Sequence, residues 1–148
     1  MKMLICLAIG GAIVHAKELF VKRFFKEYGK HIRREERAKS ELVSTQTNIG
    51  NRICRKVMDA ALQNCLVVVT KVDHASRCGY WITVRRPDQT YPDYVCQVYI
   101  NLFDNTQVGV TLEKQLTNHY GTSDKDVKEV IQIVQEFVAN YSSECSSA

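Results

Sequence analysis

Six cysteines and four histidines are the residues of this 148-residue chain best suited to chemistry. Asp73, His74 and Cys78 form the one local grouping of a carboxylate, an imidazole and a thiol. A thiol nucleophile needs a base within hydrogen-bond reach and a third group that orients the base. Neighbouring residues on a strand point to opposite faces, so Asp73 cannot simply orient His74. His74 and Cys78 also offer two metal ligands, whereas a closed zinc site takes four, usually from two paired clusters. The chain has no second pair, and His119 stands alone. A glycine-rich phosphate loop, GxSxG, HExxH and a paired-carboxylate signature are all missing from the sequence. The residues therefore assign no catalytic group, no metal site and no cofactor, and favour a binding role over an enzymatic one.

The cysteines are Cys6, Cys54, Cys65, Cys78, Cys96 and Cys145. Removal of an N-terminal leader would leave five, an odd number that implies a free thiol or an intermolecular bond in an oxidising compartment. Cys65 and Cys78 fall at opposite ends of the first β-ribbon and cannot meet. Cys54 and Cys96, on elements expected to pack together, form the candidate bridge; the alternative is that both are small buried hydrophobes. Cys145, in the tail, is placed to join two subunits as a homodimer.

Residues 1–16, MKMLICLAIGGAIVHA, have the order of a secretory signal: Lys2, an apolar run, then Val14-His15-Ala16. The apolar run, 3–14, is shorter than the roughly 20 residues that span a bilayer. A cleaved signal peptide and a secreted or endomembrane location are expected, with an uncleaved membrane anchor as the alternative. Asn140-Tyr141-Ser142 is a candidate glycosylation acceptor consistent with that route.

The net charge of +4 is concentrated in one segment. Between Lys17 and Glu41 there are nine Lys or Arg against five Glu, while the chain from Leu42 onward has ten basic against eleven acidic residues. Residues 17–43 read as a basic amphipathic helix. Phe20, Phe24 and Tyr28 recur at four-residue steps, and Lys22, Arg23, Lys26, Arg33 and Arg34 furnish the basic surface. Gly29 is a place where it can bend or break. Such a helix suits an anionic membrane surface. It also suits a packed stripe under a solvated face.

Residues 44–141 read as an α+β domain. A polar connection at 40–48 leads to a second helix, 48–63, and then to four β-segments at 65–73, 79–86, 94–104 and 107–116, rich in Val, Ile, Tyr and Thr. Alternation puts Tyr80, Ile82, Val84, Cys96, Val98, Ile100, Val108 and Val110 on one face. The unbroken run 66–69, Leu-Val-Val-Val, predicts a first strand inside the sheet. Ser123 with Asp126 resembles a capping box before a helix whose stripe is Val127, Val130, Ile131, Val134, Phe137, Val138 and Tyr141. Residues 142–148 form a polar tail, expected to be flexible. The expected fold is α+β: two N-terminal helices, a four-stranded antiparallel meander and a C-terminal helix packed on the sheet.

Opposite the apolar face stand Trp81, Arg85, Tyr99 and Phe103, the candidate binding residues, beside the stiff loop 87–93 with its two prolines. Aromatic rings with an arginine on a sheet can anchor a protein partner or stack bases. In outline the helix and meander resemble the cystatin-type protease inhibitors. Their Gln-x-Val-x-Gly signature is missing, since Gln107-Val108-Gly109-Val110 has the wrong spacing. The leading expectation is a small secreted, non-enzymatic protein that contacts another macromolecule, most simply a protein. The alternatives are a membrane-anchored subunit of a larger complex and a nucleic-acid-binding module; the basic residues precede the sheet, which weakens the latter.

Overall fold

The computed structural model describes residues 2–73, 79–103 and 107–141, with side chains from His15 onward. The chain is α+β, with helix α1 (Lys2–Gln63), strands β1 (Val67–Asp73), β2 (Gly79–Arg85), β3 (Cys96–Ile100), β4 (Val108–Leu112) and β5 (Asn118–Tyr120), and helix α2 (Asp124–Asn140). It divides into two units, Met1–Ser40 and Glu41–Ala148.

The first unit is helical throughout its described residues, with turns continuing through Gly29. Its ring residues are exposed, Phe20 at 71% and Phe25 at 65%. Phe24 stacks on Tyr28 with centroids 6.1 Å apart and meets Phe25 edge-on at 6.0 Å.

In the second unit the expected break at 40–48 is replaced by helical turns, so one helix stands where two were expected. Two polar side chains explain why. Thr47 Oγ1 donates to the Val43 carbonyl at 2.9 Å, satisfying its hydroxyl within the helix. Gln46 is fully buried, and its Oε1 accepts from the Leu102 N–H at 3.3 Å. α1 ends at a left-handed Cys65, φ 56°. There Leu66 N–H donates to Ala61 C=O at 2.9 Å and Cys65 N–H to Leu62 C=O at 3.2 Å, the 6→1 and 5→2 bonds of a Schellman cap. Cys65 therefore stops the helix and does not open a strand.

The sheet is an antiparallel meander in the order β1-β2-β3-β4-β5, with one more strand than expected. β5 is three residues long, polar and followed by Gly121, which hides it in sequence; its pairing with β4 sets Gly109 opposite His119. β1 is an outer strand, contrary to the interior place read from its valine run. In a pure meander the first strand has one neighbour, and Val67, Val69 and Val72 are each more than a third exposed.

The core lies between the sheet and two helical faces. Ile53, Cys54, Val57 and Ala61 of α1, the expected inward residues of β2, β3 and β4, and Val127, Val130, Val134 and Val138 of α2 form one buried cluster. Ile131, Phe137 and Tyr141 pack at its rim, so the predicted stripe of α2 is the buried one. The capping box is present: Asp126 N–H donates to Ser123 Oγ at 3.2 Å, and Ser123 N–H to Asp126 Oδ2 at 3.2 Å. Cys54 and Cys96 are both free and buried, so the candidate bridge between them is not formed. Each fills the core as a small apolar side chain, and burial raises both thiols, Cys96 to about 12.

Candidate functional site

Sheet register assembles the open face. Trp81 pairs with Tyr99 across β2 and β3, Lys71 precedes Trp81 in the same row, and Gly109 and His119 continue it across β4 and β5. The next row carries Thr83, Gln97 and Thr111. Gln97 Nε2 donates to Thr83 Oγ1 at 3.1 Å, and the Thr111 and Thr117 hydroxyls lie 2.6 Å apart.

The Trp81 and Tyr99 rings are 4.6 Å apart between centroids and tilted by 31°. Contact at this distance is within the favourable range for aromatic pairs. Both residues are half-buried. They lean over Gly79: a Cβ there would stand 2.5 Å from Trp81 Cη2 and 2.5 Å from Tyr99 Cε2. Tyr99 is held at its far end by Asn101, whose Nδ2 donates to Tyr99 Oη at 2.9 Å. Asn101 is itself 2% exposed, and its Oδ1 accepts from the Phe103 N–H at 2.9 Å. The aromatic pair is thus fixed from below by a glycine and from the side by a buried amide.

Arg85 closes the neighbouring loop. Its Nη1 donates to the Gln89 carbonyl at 2.6 Å, while Gln89 Oε1 accepts from the Arg86 N–H at 2.8 Å. Lys114 pairs with Asp93 at the other end of the loop. Together these bonds shape a cleft of about 200 Å³ whose lining includes Lys71, Arg85, Tyr91, Pro92, Asp93 and Tyr94. Tyr91 is 91% exposed at its mouth.

Of the four predicted binding residues, the structure brings Trp81 and Tyr99 into contact and sets Arg85 in the cleft wall. Phe103 lies in a bend beyond the end of β3 and is half-buried. The basic residues Lys22, Arg23, Lys26, Arg33 and Arg34 are all exposed on α1 of the first unit. Asn140 is exposed at the last position of α2. His74, Cys78, Cys6 and Cys145 lie outside the residues whose side chains are described, and with them the thiol–imidazole grouping and the intermolecular bridge. Gly79, Asn101 and Gln89 were missed by sequence reasoning. A glycine two positions before a strand tryptophan is the signal that could have pointed to the first; the other two depend on the folded loop.

Among the described residues no group of three His, Cys, Asp or Glu side chains is placed to hold a metal ion, and no helix is long and apolar enough to cross a membrane. Comparison with protein-family models, with curated proteins and with solved structures finds no match to this chain.

Proposed function

We propose that this is a secreted, non-enzymatic binding protein that contacts a protein partner through the open face of its sheet. The observation that carries the reading is the Trp81–Tyr99 pair, held at 4.6 Å beside a cleft with two cations, one carboxylate and two tyrosines in its wall. Large aromatic side chains of fixed geometry, with an arginine close by, are the residue types that dominate protein–protein contacts, because they bring large area at small entropic cost. Secretion is supported by the apolar leader and its Val14-His15-Ala16 end.

The contact is tested by placing a photo-crosslinking residue at Tyr99 in the full chain in its native source. A single protein adduct that Trp81→Ala removes, and that a crosslinker at Glu129 on α2 does not form, supports the reading. Identical adducts from both positions sink it. An intact mass beginning at Lys17 supports the secretory route, and one beginning at Met1 opposes it.

Nucleic acid is the second reading, favoured by the same ring pair, because bases stack on aromatic side chains. Trp81 is the one tryptophan in the chain, so stacking would quench its emission directly. Single-stranded oligonucleotides that quench it with a steep salt dependence would replace the protein partner with a nucleic acid.

A further inference from the structure

The first unit carries a patterned surface on α1. On a helix of 3.6 residues per turn, Phe20, Val21, Phe24, Phe25, Tyr28 and Ile32 occupy an arc of roughly 140°, interrupted by His31, which pairs with Glu35. Lys22, Arg23, Lys26, Lys30, Arg33, Arg34 and Arg37 occupy the opposite arc, roughly 120° wide. The apolar residues are exposed, Phe24 at 57% and Tyr28 at 54%. Exposed aromatic stripes of this length are rare on isolated surfaces and mark interaction sites.

We propose that residues 20–32 of α1 form a docking helix for an anionic membrane surface, lying in the headgroup plane with the aromatic arc toward the acyl chains. Two observations select this occupant. The charge is complementary, with Lys22, Arg23, Lys26 and Lys30 against Glu27 in residues 20–32. Aromatic rings opposite a Lys- and Arg-rich face are the composition of helices that lie in the interface. A second copy of the chain suits the stripe less well. Helix pairs are knitted by aliphatic residues at a and d over three or four heptads, whereas this stripe covers under two and is built of rings. The stripe is intact whether or not the leader is removed.

The test is flotation of the full chain with vesicles of phosphatidylcholine alone and of phosphatidylcholine containing about 30% phosphatidylserine. Preferential binding to the anionic vesicles, weakened by salt, is expected. F20Q/F24Q/F25Q should lower that partitioning by tenfold or more, roughly the effect of withdrawing one buried ring from the apolar phase. Lys22/Lys26/Lys30→Gln should abolish the preference for phosphatidylserine. Gln propagates a helix better than Phe, and an unchanged Trp81 emission confirms that the β domain is folded in each variant. Undiminished binding by the phenylalanine variant would assign attachment to residues 3–14 and overturn the proposal. So would equal partitioning onto both vesicles, or a dimer of the full chain that the phenylalanine variant dissociates.

Discussion

Tyr80 Oη donates a hydrogen bond to Asn51 Oδ1 at 2.9 Å, and its ring lies directly on Gly50 of the same helix. A Cβ at residue 50 would come within 2.6 Å of the ring, which leaves no room for any other amino acid without movement. Gly50→Ala should therefore destabilise the β domain by about 1–3 kcal/mol despite alanine's better helix propensity, as overpacking does elsewhere. Tyr80→Phe keeps the packing and should cost only about 1 kcal/mol for the lost hydrogen bond. Chemical denaturation monitored by Trp81 separates the two; a Gly50→Ala protein as stable as the parent would refute the packing.

The Schellman cap predicts the opposite sign at Cys65. An L-residue in the left-handed region is strained by about 1–2 kcal/mol, and glycine is not. Cys65→Gly should raise stability by up to about 1 kcal/mol once glycine's larger unfolded-state entropy is counted. A lower denaturation midpoint would contradict the cap.

Thiol accessibility and pH form a third expectation. Cys65 is exposed whereas Cys54 and Cys96 are buried, so a maleimide should modify Cys65 in the native protein and the other two only on unfolding, as peptide masses will show. Burial holds Cys96 at about 12, above its ordinary 9.0, and raises Cys54 and Tyr80 as well. The folded chain keeps protons that the unfolded chain releases. This contribution is complete below the unfolded-state pKa and is lost as pH climbs toward the folded one. Between pH 9 and 11 stability should fall by up to about 1.4 kcal/mol per pH unit from Cys96 alone. A midpoint that stays constant over that range would show the thiol to be solvated.

Arg85 and Gln89 should act on the loop without acting on the fold. Arg85→Ala removes the bond to the Gln89 carbonyl, and Gln89→Ala removes the bond to the Arg86 N–H. Amide exchange in residues 87–93 should accelerate in both variants while β2 and β3 keep their protection, since loop opening is a local event. Protection lost throughout the sheet would mean that these side chains support the core instead.

At the open face, Gly79→Ala forces a methyl against both rings. Because Trp81 is the single tryptophan, its emission should shift in the folded protein, and Tyr99→Ala should shift it by removing the stacked neighbour. An unchanged spectrum in both variants would mean that the rings are not held as a pair.

The β periodicity of β2, β3 and β4 was legible because each has one wet and one dry face, so alternation survives in the sequence. The stripe of α2 and its Ser123 cap were legible for the same reason: local pattern and tertiary burial agree. Residues 40–48 were not. Gln46 and Thr47 look like linker residues, and their compatibility with a helix depends on partners at Leu102 and Val43, of which the former is 56 positions away. β1 misled in the other direction, since a valine run signals β structure without telling which strand will be outermost. Of the candidate site, the composition was readable and the joint geometry only in part. Alternation placed Trp81 and Tyr99 on one face, but their contact needs the register, and the cleft needs the loop that Arg85 ties down.

The outer position of β1 has a further cost. Its sequence, VVVTKVD, is β-branched and uncharged for four residues, and Lys71 and Asp73 are the charges that oppose pairing with another chain's edge. Salt that masks Lys71, acetylation of its amine or Lys71→Val would each leave Asp73 as the one charge on a strand with at least four valines. Fibre growth from that rim would then compete with the native fold for the same strand.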